Sequence, residues 1–201
     1  MHERIFAAFD RVCRERGAGG DVLEIGAMPS RSTLLCLPAL ARARSRIGVN
    51  LEVDAAFDGF RILRANANDL SAFADASFDT VLANAMLEHD SRFWLTLAEI
   101  RRVARPGALV ALGVPAFASR ASAPLLRRLA RVPLAGAVVR RAAPGRLAST
   151  PTLVVHDFPA DYYRFSAQAM REVLLDGLEG REVIELMAPP RLVGSARAPA
   201  R

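Results

Sequence analysis

There is no lysine in this 201-residue chain; all 27 basic residues are arginine. With alanine so abundant, that points to a coding bias, so a single arginine is not by itself read as a binding residue. Cysteine is scarce. Cys13 and Cys36 match neither a disulfide framework nor a zinc pattern, and the apolar run Leu34-Leu35-Cys36-Leu37 predicts a buried free thiol; no metal site is expected. No stretch reaches the ~20 apolar residues of a membrane span. Met1-His2-Glu3-Arg4 carries mixed charge and opens an amphipathic segment, not a secretory leader. These absences predict a cytoplasmic chain. Acidic residues are missing from the whole interval between Glu99 and Asp157. Within it, residues 118–150 hold seven arginines (Arg120, Arg127, Arg128, Arg131, Arg140, Arg141, Arg146). Without that segment the chain has 20 arginines against 21 acids, a net of −1, so the overall +6 belongs to one place. Interleaved aromatics that stack bases are lacking there, with Phe117 the nearest, so nucleic acid is not the expected partner.

What is present alternates. Residues 3–16 read as a helix, with Ile5, Phe6, Phe9, Val12 and Cys13 at spacings of three and four, ended by Gly17-Ala18-Gly19-Gly20. Val22-Leu23-Glu24-Ile25-Gly26 is a short strand closed by glycine, and Ser30 caps a predicted helix to about Ala43. Arg46–Asn50 and Ile62–Asn66 read as strands, followed by Phe78–Asn84. A helix from about Ser91 places Phe93, Trp94, Leu97, Ile100 and Val103 on one side, which reads Phe93 and Trp94 as core. Pro106-Gly107 stops it before the apolar strand Ala108–Val114. After residues 118–150, read as short helices of an insertion, a helix from Ser166 to about Leu175 precedes strands Arg181–Met187 and Arg191–Ala198. Near-continuous apolar strands alternating with helices predict a Rossmann-like, doubly wound α/β fold in a single domain. The expected sheet is seven-stranded and mostly parallel, with helices on both faces and an antiparallel C-terminal edge strand.

In such a sheet ligands bind beyond the carboxyl ends of the strands, where the strand order reverses. The loops to inspect are Gly26–Ser30, Asn50–Glu52, Asn66–Asp69 and Asn84–His89. Taken in order, Val22–Gly26, Ile47–Asn50, Asn66–Leu70, Ser77–Asn84 with Leu87-Glu88-His89, and Glu99–Gly107 resemble the class I S-adenosylmethionine-dependent methyltransferases. The likeness is to small bacterial enzymes of the type that methylate ubiquinone precursors and sugars. It covers residues 21–115 and returns at Asp161-Tyr162-Tyr163-Arg164-Phe165-Ser166. The resemblance implies S-adenosylmethionine as cofactor. It places Glu24, Gly26 and Ala27 at the methionine end, Asn50 or Glu52 at the ribose, Asn66 and Ala67 at the adenine, and Asn84 and His89 at the methyl end. The departures are Ala27-Met28-Pro29-Ser30 in place of further glycines, and asparagine where ribose and adenine usually meet an acid. A nicotinamide dinucleotide does not fit: G-x-G-x-x-G would need glycine at Met28 and Arg31.

Methyl transfer to oxygen needs a group that takes the acceptor's proton, and histidine suits that near neutral pH. His89 and His156 are the candidates. Asp79 is expected to cap or pair locally. Arg120, Arg127, Arg128 and Arg131 fall on one face of a helix opposite Leu125, Leu126, Leu129 and Val132. That pattern suits a solvated face, a lid over a phosphorylated acceptor, or peripheral membrane contact through 120–146 at the inner membrane face. The acceptor expected is a small molecule, a glycan or a lipid-linked precursor. The alternative is a catalytically degenerate binding module acting through its basic insertion.

Overall fold

The computed structural model describes residues 2–117, 132–142, 152, 160–187 and 189–200. The first helix, α1 (Glu3–Glu15), is capped by the His2 ring, which accepts from the Arg4 N–H at 3.2 Å. It buries Ile5, Ala8, Phe9, Val12 and Cys13 along one stripe and ends at Gly17, whose φ is +64°. Burial, with Asp10 nearby, pushes the Cys13 thiol up to about 12. Cys36, expected to be buried, is only half-buried and lies 3.7 Å from Asp58.

The strands are β1 (Asp21–Ile25), β2 (Ser45–Asn50), β3 (Ala55–Phe57), β4 (Phe60–Arg64), β5 (Phe78–Asn84), β6 (Ala104–Pro115), β7 (Glu179–Met187) and β8 (Pro190–Arg197). They form one sheet in the order β3-β4-β2-β1-β5-β6-β8-β7. β4, β2, β1, β5 and β6 run parallel, while β3 and β8 pair antiparallel with their neighbours. The sheet is therefore eight-stranded, one strand more than expected. The extra strand is β3, folded onto β4 through Asp58 and Gly59, whose φ values are +46° and +82°. Two successive positive φ angles define the hairpin turn that Asp-Gly favours.

Two hydrophobic layers cover the sheet. On one face, α1 and Leu34, Leu35, Leu37 and Leu40 pack over Val22, Ile62, Leu82, Ala111 and Val193. On the other, α2 (Phe93–Val103) and the segment around Met170 pack over Leu23, Val81, Val110, Leu112 and Ala196. Alternate residues of each strand enter opposite layers, which is why the strands read as unbroken apolar runs.

Three elements differ from expectation. The helix predicted over Ser30–Ala43 is replaced by two 3-10 turns, Leu34–Cys36 and Pro38–Leu40. Pro38 removes a backbone donor and holds Leu37 extended, at φ −58° and ψ 131°, so a helix cannot run through. After α3 (Pro133–Ala142), the final helix α4 (Ala167–Ala169) is capped by Ser166 and widens at once into a π turn over Met170–Leu174. The third is Trp94, which lies off the buried stripe of α2 and is 53% exposed, although Phe93 packs against Tyr163 and Phe165 as core. The arginine helix expected through residues 120–131 lies outside the described residues.

Candidate active site

Four loops meet at the carboxyl edge of the parallel strands, where the order reverses between β1 and β5. Glu24 sits at the end of β1, buried, and its carboxylate collects the Leu34 and Leu35 N–H groups at 3.1 Å each and the Thr33 hydroxyl. Those are the orphan donors of the first 3-10 turn. Burial raises the Glu24 pKa, against the pull of Thr33, Leu34 and Leu35. In this structure Glu24 holds the loop in place.

Gly26 follows with φ +82°, and a side chain there would come within 2.9 Å of the Met86 Cβ. The glycine thus lets the loop after β1 close against the loop after β5. The Gly26 and Ala27 N–H groups both reach the Val49 carbonyl, at 2.9 and 3.0 Å. Asn50 completes the junction. Its amide donates to the Ala27 carbonyl at 2.9 Å and lies 3.3 Å from the Met28 sulfur, while its Oδ1 accepts from the Glu52 and Val53 N–H groups at 3.0 and 3.2 Å. Both lone pairs of that oxygen are occupied within the protein. Glu52, two residues on, is exposed, and its carboxylate has no hydrogen bond or ion pair among the described residues.

Asn66, after β4, is exposed; its Oδ1 accepts the Asn68 N–H at 3.0 Å, and Ala67 beside it is half-buried. The neighbouring Ala65 N–H bonds the Asn50 carbonyl at 2.8 Å, which fixes this loop to the β2 loop. Asn84 ends β5 with a buried Oδ1 that has no donor among the described residues. A side chain at Gly113 would lie 2.3 Å from that oxygen and 2.8 Å from the Phe9 ring, so β6 needs glycine there.

A second group of side chains lies just beyond β5. His89 sets its Nδ1 against the Ala160 carbonyl, and the Tyr162 N–H donates to the Glu88 carbonyl at 2.8 Å. These contacts seat the returning segment 160–165 over the loop. Within it Asp161 and Arg164 form a buried ion pair, and the Tyr163 hydroxyl donates to the Ser91 carbonyl at 3.0 Å. Glu88 is 0% exposed, with Arg191 Nη1 3.3 Å and His89 Nε2 4.0 Å from its Oε1. Burial raises its pKa in spite of Arg191 and His89. Of these residues His89 is the one expected from sequence; Glu88, Arg191 and the Asp161–Arg164 pair come together only through the fold. His156 lies outside the described residues.

The structure thus joins Glu24, Gly26, Ala27, Asn50 and Glu52 on one side of the edge, with Asn66 and Ala67 alongside. Asn84 and His89 stand on the other. This arrangement is that of a Rossmann-like α/β sheet with a second group of residues just beyond β5 at its carboxyl edge. Residues 30–112 match the methyltransferase-domain family. No protein of curated function matches the sequence. Among solved structures, one similar in fold is a possible exported protein from Bordetella parapertussis, with TM-score 0.62 at 16% identity, covering 98% of this chain and 68% of the other. Another is the 1,6-didemethyltoxoflavin-N1-methyltransferase of Burkholderia thailandensis, solved with S-adenosylhomocysteine: TM-score 0.60, 17% identity, 96% and 78% covered. The N-methyltransferase NodS of Bradyrhizobium japonicum, also with S-adenosylhomocysteine, gives TM-score 0.59 at 12% identity, with 98% and 87% covered. The fold is thus that of the Rossmann-like α/β structures to which these methyltransferases belong, and the methyltransferase-domain match covers residues 30–112 of the chain.

Proposed function

We propose that this protein transfers a methyl group from S-adenosylmethionine to a small acceptor carrying a hydroxyl group. The observation that carries the reading is the Gly26–Ala27–Asn50 junction with the unpaired Glu52 carboxylate at its rim. The ligand's ribose hydroxyls and α-ammonium group are hydrogen-bond donors, and this edge offers matching acceptors in Glu52 and in Asn84 Oδ1. Glu52 therefore takes the ribose, since Asn50 is fully engaged in holding the loops. Gly26 and Ala27 line the methionine end, Asn66 and Ala67 the adenine, and Asn84 the methyl end. The bound cofactor supplies an electrophilic methyl carbon; the chain positions the acceptor in line with it and excludes water.

Calorimetry with S-adenosylhomocysteine tests this. Micromolar binding by the wild type is expected, with at least ~10-fold loss in Glu52→Ala, corresponding to one charge-assisted hydrogen bond of about 1.5–3 kcal/mol. Asn50→Asp should leave affinity within a few-fold if Asn50 acts only on the loops.

One observation favours an acceptor held at a membrane surface. On α3, Leu134 is 86% and Val138 66% exposed, with Ala137 and Arg141 exposed on the same side. Exposed leucine and valine beside arginine, in an interval without a single acid, suit an anionic lipid surface. Among the described residues no helix is long and apolar enough to cross a membrane. Vesicles of phosphatidylcholine with phosphatidylglycerol should sediment the wild type, and Leu134→Asp/Val138→Asp should release it. Equal sedimentation of both proteins, or none of the wild type, contradicts membrane contact through this helix.

A further inference from the structure

Glu88 has a buried carboxylate with an unused oxygen. Its Oε1 has Arg191 at 3.3 Å, whereas Oε2 is buried and has no hydrogen-bond partner among the described residues. A buried acceptor without a donor costs free energy, and a catalytic role is one of the few reasons a fold keeps such a group. Three features place this one at the reacting edge. It follows β5 by four residues, in the 3-10 turn Leu87–His89. Its backbone carbonyl anchors Tyr162, and its side chain meets Arg191 of β8, so it lies between the returning segment and the sheet. The apolar cluster of Phe93, Tyr163 and Phe165 borders the same segment, with ring centroids 5.1–6.0 Å apart.

We propose that Glu88 is the catalytic base: its Oε2 accepts the acceptor's hydroxyl hydrogen and takes that proton as the methyl group is transferred. The assignment rests on the methyl-transfer reading above. The acceptor oxygen forms the new bond to the methyl carbon, the electron pair of the broken carbon–sulfur bond stays on sulfur, and the hydroxyl proton goes to Oε2. The positive charge on sulfur and the negative charge on Glu88 disappear together, which suits a buried site. Its raised pKa brings the carboxylate closer to the acceptor's own, as a base requires. His89 is then second in line. Its Nδ1 faces the Ala160 carbonyl, and its Nε2 lies 4.0 Å from Glu88 Oε1. Since the His89 side chain is partly exposed and Glu88 is not, the ring is the outlet by which Glu88 returns its proton to solvent.

The test compares wild type, Glu88→Gln and His89→Gln. Carbon NMR of the full chain with δ-13C glutamate and bound S-adenosylhomocysteine follows the resonance that Glu88→Gln removes. It should titrate above the ordinary glutamate range, and Glu88→Gln should bind S-adenosylhomocysteine as wild type does. An ordinary titration overturns the proposal, and so does a loss of affinity confined to the variant, which would make Glu88 a cofactor ligand. Labelled methyl transfer to catechol and methyl glucoside supplies the rate. Glu88→Gln should lose at least ~100-fold and the wild-type fall in rate at low pH, whereas His89→Gln should keep the pH dependence with a smaller loss. Wild-type turnover in Glu88→Gln, or transfer by the wild type to benzylamine and to neither hydroxyl probe, overturns it. If the wild type itself binds no S-adenosylhomocysteine, the methyl-transfer reading fails, an outcome separate from any defect confined to Glu88→Gln.

Discussion

Glu24 and Glu88 are both buried glutamates at the carboxyl edge of the sheet, and burial raises the pKa of each. Their surroundings differ. Glu24 is surrounded by donors from Thr33, Leu34 and Leu35, so its work is structural. Glu24→Ala should destabilise the fold by roughly 2–4 kcal/mol, because the buried donors lose their acceptor; urea unfolding measures this. Glu88 has one oxygen unused, and the opposite behaviour is expected. A carboxyl whose pKa is raised by folding stabilises the native state when protonated, below its unfolded pKa. That contribution is lost as pH rises through the folded value. Glu88→Gln, which cannot ionise, should therefore gain stability relative to wild type as pH rises from acid toward neutral. Melting temperatures of the two proteins across that range decide it, and a difference that shrinks with rising pH would contradict the assignment. Both residues stand in legible motifs, but nothing in Leu87-Glu88-His89 announces which side chain the 3-10 turn rolls inward.

At the scale of elements, apolar periodicity revealed α1, the central strands and the C-terminal hairpin, since each buries a regular face. The expected helix over Ser30–Ala43 failed because Pro38 forbids it and Glu24 supplies the capping that a shorter turn requires. The hairpin β3–β4 was legible in Asp58-Gly59 and was missed because β3 is short and half-exposed. Gly113 was not legible at all. Its reason is the approach of Phe9 and Asn84 from other elements. Glycine to alanine in a strand ordinarily stabilises by ~0.5–1 kcal/mol. Here the sign should reverse, with Gly113→Ala costing about 1–3 kcal/mol as α1 is pushed from β6. A neutral or stabilising effect in urea unfolding would show that the contact relaxes freely.

Across the whole molecule the two ends of the sheet are divided by task. At the amino end, Asp21 and Asp79 meet Arg44 and Arg105, with Arg105 2.6 Å from Asp79 and 3.1 Å from Asp21, which ties β1, β5 and β6 together. The Arg44 and Ser45 hydrogen bonds hold Asp21 well below the usual carboxylate range. At Asp79, burial works upward, but the Asp21 N–H and Arg105 outweigh it and the pKa falls. Lowered carboxylates stabilise above their unfolded pKa, and the effect is lost as pH drops. Arg105→Gln should thus be less stable than wild type near neutrality, with the gap closing in acid. At the carboxyl end the loops leave acceptors open, and the basic interval lies apart in sequence from both. The measurement that tests the account most directly is isothermal titration of the purified chain with S-adenosylhomocysteine. Saturable micromolar binding that Gly26→Arg abolishes in a folded protein is the predicted result. No binding by the wild type at millimolar ligand would contradict the account and leave a methyltransferase fold that does not hold its cofactor.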